Sequence, residues 1–104
     1  MDIYEILSKS VEADASDIFL VAGLPVTYKA GGHHVRMSSE MMMPESIWQL
    51  VDEIYDVSKR DRTNLEERID DDFSFALSRL GRFRVNVFRQ RGTVAAVIRV
   101  IKFG

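Results

Sequence analysis

The chain has 104 residues, which is enough for one domain and too few for two. Its 16 acidic and 14 basic residues leave a net charge of −2, which argues against a dedicated nucleic-acid binder. The sequence contains no cysteine, so disulfide bonds, thiol catalysis and cysteine-ligated metal sites are excluded. No apolar run approaches the roughly 18 residues of a membrane-spanning helix.

The first half of the chain predicts two helices separated by three short strands. Asp2 can cap a helix that runs to about Ala13, and its apolar positions recur at helical spacing. The predicted strands are 18–21, 26–30 and 33–37. Gly31-Gly32 suits a two-residue hairpin turn between the last two of them. Pro44 suits the first turn of the second helix.

The second half predicts a short helix and a three-stranded meander. Ser58 is predicted to cap a third helix that runs to about Arg68. The acidic run 70–72 is interpreted as a charged loop before a strand, since it lacks the spacing of a calcium loop. Strands are predicted at 71–77, 82–89 and 94–101, with a turn at 90–92. Strands and helices without strict alternation predict an α+β fold, with an antiparallel sheet and helices packed on one face. A PAS-like domain is one such fold.

The basic residues are concentrated in the last strands. Residues 82–102 contain six basic residues and no acid. Arg84 leaves its strand opposite Phe83 and Val85, and Arg99 is the one charged residue between 94 and 101. A charge in such an apolar segment needs an acidic neighbour, a place at the end of the sheet, or an anion from a partner. Internal salt bridges and a shared phosphate therefore both remain open.

Catalytic and metal-binding motifs are missing from the sequence. It contains neither a nucleophile elbow nor a phosphate-binding loop of the G-x-x-x-x-G-K-[ST] type. His33 and His34 are adjacent on a predicted strand, so they point to opposite faces and are a poor metal pair. We therefore expect no metal site and no catalysis by this chain alone.

Three motifs in order carry a resemblance to a known family. They are G-R-F-R-V-N-V-F-R-Q-R-G at 81–92 with V-A-A-V-I-R after it, A-S-D-I-F-L-V-A-G-L-P-V at 15–26, and D-D-D-F-S-F at 70–75. Together they resemble the N-terminal domain of PilT-type ATPases, the twitching-motility members of the secretion ATPase family. The resemblance covers nearly the whole chain. Phe19 stands where the family often has His.

The resemblance implies that residues 1–104 are a single PAS-like N-terminal domain of a hexameric ATPase, and that the RecA-like catalytic domain is absent from this chain. In this family the catalytic domain binds ATP and Mg, and arginines of the N-terminal domain reach the ATP phosphates. The matching positions here are Arg84 and Arg99, with Arg91 as a weaker candidate. No cofactor is expected in the fragment itself. Domain rotation during ATP turnover would drive retraction of the type IV pilus.

The same resemblance implies the partners and the location. The partners would be the RecA-like domain of the same parent chain, neighbouring subunits of a homohexamer, and the pilus machinery of the inner membrane. The location would be cytoplasmic and peripheral to that membrane. Three other functions stay open: a domain of a pilus-assembly or type II secretion ATPase, a stand-alone PAS-like sensor of small molecules, and a nucleic-acid module. A pI near 5.6 counts against the last.

Overall fold

The computed structural model describes residues 1–102, which form three helices and six strands. The elements in chain order are α1 (Ile3–Glu12), β1 (Asp17–Leu20), β2 (Thr27–Ala30), β3 (His33–Arg36), α2 (Pro44–Ser58), α3 (Thr63–Glu67), β4 (Asp70–Leu77), β5 (Gly81–Gln90) and β6 (Thr93–Ile101). Asp2 caps α1 as predicted, since its Oδ1 accepts a hydrogen bond from the backbone N–H of Glu5 at 2.8 Å.

All six strands form one antiparallel sheet in the order β3-β2-β1-β6-β5-β4. Two three-stranded units, β1–β3 and β4–β6, meet where the first strand pairs with the last. Ile18 lies opposite Ile98 in this central pair. The antiparallel sheet and the α+β class are therefore confirmed, while the PAS-like arrangement stays a prediction.

Two hairpins have two-residue turns with left-handed backbone at both central positions. Gly31 and Gly32 have φ angles of 57° and 78°, and the strands pair directly beside them. Arg91 and Gly92, with φ angles of 39° and 83°, join β5 to β6 in the same way. Such turns match the right-handed twist of the strands and fix the register of each hairpin.

Strand alternation divides the sheet into a helix-covered face and an outer face. Phe73 and Phe75 of β4, and Phe83 of β5, point inward and are buried with the apolar side of α2. The intervening residues of the same strands are exposed or half-buried on the outer face. Helices packed on one face are thereby confirmed, and the outer face carries charged and polar side chains together with apolar ones such as Phe88 and Val97.

Two predictions about the middle of the chain are wrong. Ser58 caps no third helix; it ends α2, and its hydroxyl donates to the carbonyl of Tyr55 at 3.2 Å. The helix stops because Lys59 adopts a left-handed conformation with φ of 56°. The interpretation of residues 70–72 as a loop is wrong, and the strand predicted from residue 71 is confirmed, since 70–72 form the start of β4 and pair with residues 86–88 of β5.

Candidate functional site

Arg84 and Arg99 lie directly opposite each other on β5 and β6. Both side chains project from the outer face, where they are 62% and 73% exposed. Residues opposite each other in an antiparallel pair have Cβ atoms about 5 Å apart. The two guanidinium groups can therefore reach the same phosphate-sized anion. They lie on inner strands of the sheet, near the ends at which β5 begins and β6 finishes.

Each of these arginines also contacts a carboxylate. Arg84 donates through Nε to Oδ1 of Asp72 at 3.2 Å and through Nη2 to Oδ2 at 3.1 Å. These hydrogen bonds raise the pKa of Arg84 above its usual value. Arg99 Nε lies 3.6 Å from Oδ1 of Asp17, whose other oxygen accepts from the hydroxyl of Ser16 at 2.8 Å. The structure thus contains the internal salt bridges that the sequence left open as an alternative.

The four charged residues surround one shallow cavity on the outer face. Its volume is about 220 Å³. It is lined by Asp17, Asp72, Arg84, Asn86, Val97 and Arg99. Two arginines and two aspartates sum to no net charge, so the cavity is a balanced ionic site. The sequence singled out the arginines and offered the acidic segment 40–72, which contains Asp72, as their alternative internal partner. It did not indicate Asp17, because that residue comes from a strand outside both the acidic and the basic segment.

Phe19 lies on the same outer face. It is opposite Val97, which lines the cavity, and its ring centroid is 5.5 Å from that of His34 on β3. Phe19 is half-buried by these neighbours. Phe19 therefore places an apolar ring beside the ionic cavity.

Arg91 lies at the opposite end of the β5–β6 hairpin, in the two-residue turn. Seven positions along a strand separate it from Arg84, which corresponds to about 23 Å at the usual rise per residue. Arg91 and the opposed pair therefore cannot contact one phosphate group together. Its assignment as a phosphate contact stays a prediction.

A second cluster of polar side chains is buried on the helix-covered side. The side chain of Asp71 is 2% exposed, yet it belongs to the run that the sequence suggested was solvated. Arg60 donates to it through Nε at 2.9 Å and through Nη2 at 2.8 Å. The hydroxyl of Tyr55 donates at 2.8 Å and the amide of Asn64 at 3.4 Å. The guanidinium carbon of Arg60 also lies 4.6 Å from the ring centroid of Phe73.

The electrostatics of this cluster favour an ionised Asp71. The hydrogen bonds from Arg60 lower the pKa of Asp71, and they raise the pKa of Arg60 itself. Burial, together with the hydrogen bond to Asp71, raises the pKa of Tyr55. Every buried polar side-chain atom in residues 1–102 has a hydrogen-bond partner. The cluster therefore joins α2, the segment after it and β4, and it has a structural role.

Residues 1–102 contain neither a candidate metal site nor a candidate membrane-spanning helix. No three acidic or histidine side chains in this part of the chain are grouped so that they could hold a metal ion. No helix in it is both long enough and apolar enough to cross a bilayer.

No protein-family model matches the sequence. The chain is 37% identical over 102 residues to the type IV pilus retraction ATPase PilT of Pseudomonas aeruginosa, a match that covers 97% of this chain and 29% of PilT. The crystal structure of the pilus retraction motor PilT with bound ADP superimposes with a TM-score of 0.83 at 38% identity, covering 100% of this chain and 30% of that one. The chain matches the N-terminal domain of PilT in sequence and in fold.

The likeness to PilT confirms the family resemblance of the three motifs. The Legionella pneumophila ATPase DotB shares the fold at 20% identity, with a TM-score of 0.73 over 98% of this chain and 30% of DotB. At 20% identity, this match shows only that the two chains share a fold. The chain spans about 30% of the length of the PilT and DotB chains that it matches.

Proposed function

We propose that this chain is the N-terminal nucleotide-sensing and subunit-contact domain of a hexameric ATPase that powers type IV pilus retraction and twitching motility. In this proposal Arg84 and Arg99 contact the phosphates of ATP that a RecA-like catalytic domain holds. The observation that carries it is the opposed pair of exposed arginines on the outer face, in a chain 37% identical to PilT.

The geometry suits a phosphate ligand from another domain or subunit. Arginine presents a planar fork of donors that binds phosphate oxygens in pairs, and it stays charged at every physiological pH. Because the cavity is shallow and its arginines are mostly exposed, an approaching surface could place a phosphate group between them. The two charges would then stabilise the negative charge that develops on the γ-phosphate during transfer.

The ATP and Mg of the proposed enzyme belong to the catalytic domain of the parent protein. This chain has no phosphate-binding loop, so its own part is to bring positive charge to a nucleotide held elsewhere. Its proposed partners are that domain, the neighbouring subunits of a homohexamer, and the pilus machinery of the inner membrane. The proposed location is the cytoplasm, at the surface of that membrane.

The test is turnover by the full-length ATPase with single arginine substitutions. We expect Arg84→Ala and Arg99→Ala to lower kcat by about 10³-fold with little change in KM, because the contact would form mainly in the transition state. Arg82→Ala is the matched control, since Arg82 is exposed on the same face of β5 and does not line the cavity. If Arg84→Ala and Arg99→Ala lower kcat no more than Arg82→Ala does, the phosphate contact is refuted.

A further inference from the structure

We propose that Asp72 and Asp17 compete with the nucleotide phosphate for Arg84 and Arg99, so that the two aspartates restrain binding in the free domain. This inference rests on the proposed function, and it assigns a regulatory part to residues that the arginine contact alone does not require. Phosphate would engage by exchange, with each guanidinium leaving its carboxylate as it takes up a phosphate oxygen.

The charge balance of the cavity is the first support. Two positive and two negative side chains line it, so an anion that enters meets as many carboxylates as guanidinium groups. A site built only to attract phosphate would carry excess positive charge. With the carboxylates in contact with the arginines, the attraction felt by a distant anion is largely cancelled.

The contact geometry is the second support, because the ion pairs are suited to exchange. The two hydrogen bonds from Arg84 to Asp72 are 3.1 Å and 3.2 Å long, beyond the 2.7–2.9 Å of a strong charge-assisted bond. Both partners are largely exposed, and exposed ion pairs hold weakly. A phosphate group with more charge and three oxygens can therefore replace Asp72.

Asp17 acts differently from Asp72. Its side chain is only 20% exposed and is held by the hydroxyl of Ser16, while its single contact to Arg99 is 3.6 Å long. Asp17 thus stays in place when Arg99 turns to an anion, and its charge continues to repel that anion. Because Asp72 occupies its arginine through two hydrogen bonds, we expect Asp72 to be the stronger competitor.

The experiment titrates the isolated chain with inorganic tripolyphosphate at fixed ionic strength and follows the Nε–H resonances of Arg84 and Arg99 by NMR. We expect Asp72→Asn to tighten binding about five- to tenfold, through loss of a competing ion pair and of a nearby negative charge. Asp17→Asn should tighten it by a smaller factor. Asp70→Asn is the matched control, since Asp70 is exposed on the same face of β4 and does not line the cavity. It should change the affinity less than twofold.

The outcomes separate this inference from the proposed function. If Arg84→Ala weakens binding but Asp72→Asn binds no tighter than Asp70→Asn, the competition is refuted and the phosphate contact stands. If Asp72→Asn binds more weakly than wild type, Asp72 positions Arg84 for phosphate, and the competition is again refuted. If Arg84→Ala leaves the wild-type affinity unchanged, Arg84 does not bind phosphate in the free domain and the competition is refuted, while the transition-state contact is decided separately by kcat of the full-length ATPase.

Discussion

The same substitution can be made at two neighbouring positions of β4 that lie on opposite faces of the sheet. The two variants are Asp71→Asn and Asp72→Asn. Asp71 is buried and accepts two hydrogen bonds from Arg60 and one from Tyr55, each between 2.8 Å and 2.9 Å. Breaking a buried ion pair from one side costs about 3–5 kcal/mol. Because the side chain of Arg60 is 33% exposed, water can partly solvate it after the change. We therefore expect Asp71→Asn to lower the free energy of unfolding by about 3 kcal/mol.

Urea denaturation followed by circular dichroism measures this difference. For a domain of this size, about 3 kcal/mol corresponds to a midpoint lower by about 2 M urea. Asp72→Asn breaks only an exposed pair with Arg84, so its midpoint should fall by less than about 0.5 M. Equal shifts in the two variants would refute the argument from burial.

The same pair of variants gives a test by pH. Arg60 lowers the pKa of Asp71 in the folded state, so the carboxylate stabilises the fold above its unfolded pKa of about 3.9. This stabilisation is lost as the pH falls from there through the folded pKa. The gap in stability between wild type and Asp71→Asn should therefore be full at pH 7 and shrink below about pH 4. A gap that is constant down to pH 2 would contradict the assigned ionisation.

The remaining predictions concern activity, the end of α2 and the buried tyrosine. The isolated chain should not hydrolyse ATP and should bind it more weakly than about 1 mM by calorimetry; micromolar binding would favour a stand-alone sensor. Lys59→Gly should raise the free energy of unfolding by about 1 kcal/mol, because Lys59 has a left-handed backbone; Lys59→Ala, which keeps that strain, should not. Burial raises the pKa of Tyr55, so one of the three tyrosines should ionise only when the protein unfolds in alkali, and Tyr55→Phe should remove that absorbance step.

The face on which Arg84 lies could be predicted from the sequence, because alternation along the strand places it opposite Phe83 and Val85. The sequence predicts a turn at 90–92, which leaves the register open, whereas the two-residue turn at 91–92 found in the structure fixes the pairing of β5 with β6. In that register Arg84 must oppose Arg99. The partner Asp17 could not be predicted in this way, since β1 joins β6 through a non-local pairing that no turn determines.

The buried cluster was missed although the alternation of β4 indicates it. Counting back from Phe75 and Phe73 places Asp71 on the inward face. A run of three acids is usually solvated, so composition and periodicity give opposite predictions for Asp71. The compensating Arg60 lies eleven positions earlier, in a segment without regular structure, so neither sequence spacing nor a helical face connects the two.

The order of strands in the sheet also bears on how the chain folds. Within β1–β3 and within β4–β6, neighbouring strands are close in sequence, so each unit can form through local contacts. The seam between β1 and β6 instead joins Ile18 to Ile98, about 80 residues apart. Bringing together two segments so far apart in sequence costs chain entropy. No contact between β1 and β6 offsets that cost until the two strands pair. The β1–β6 pairing is thus the most non-local strand pairing in the sheet, and we expect changes that weaken it to slow folding more than changes within either three-stranded unit.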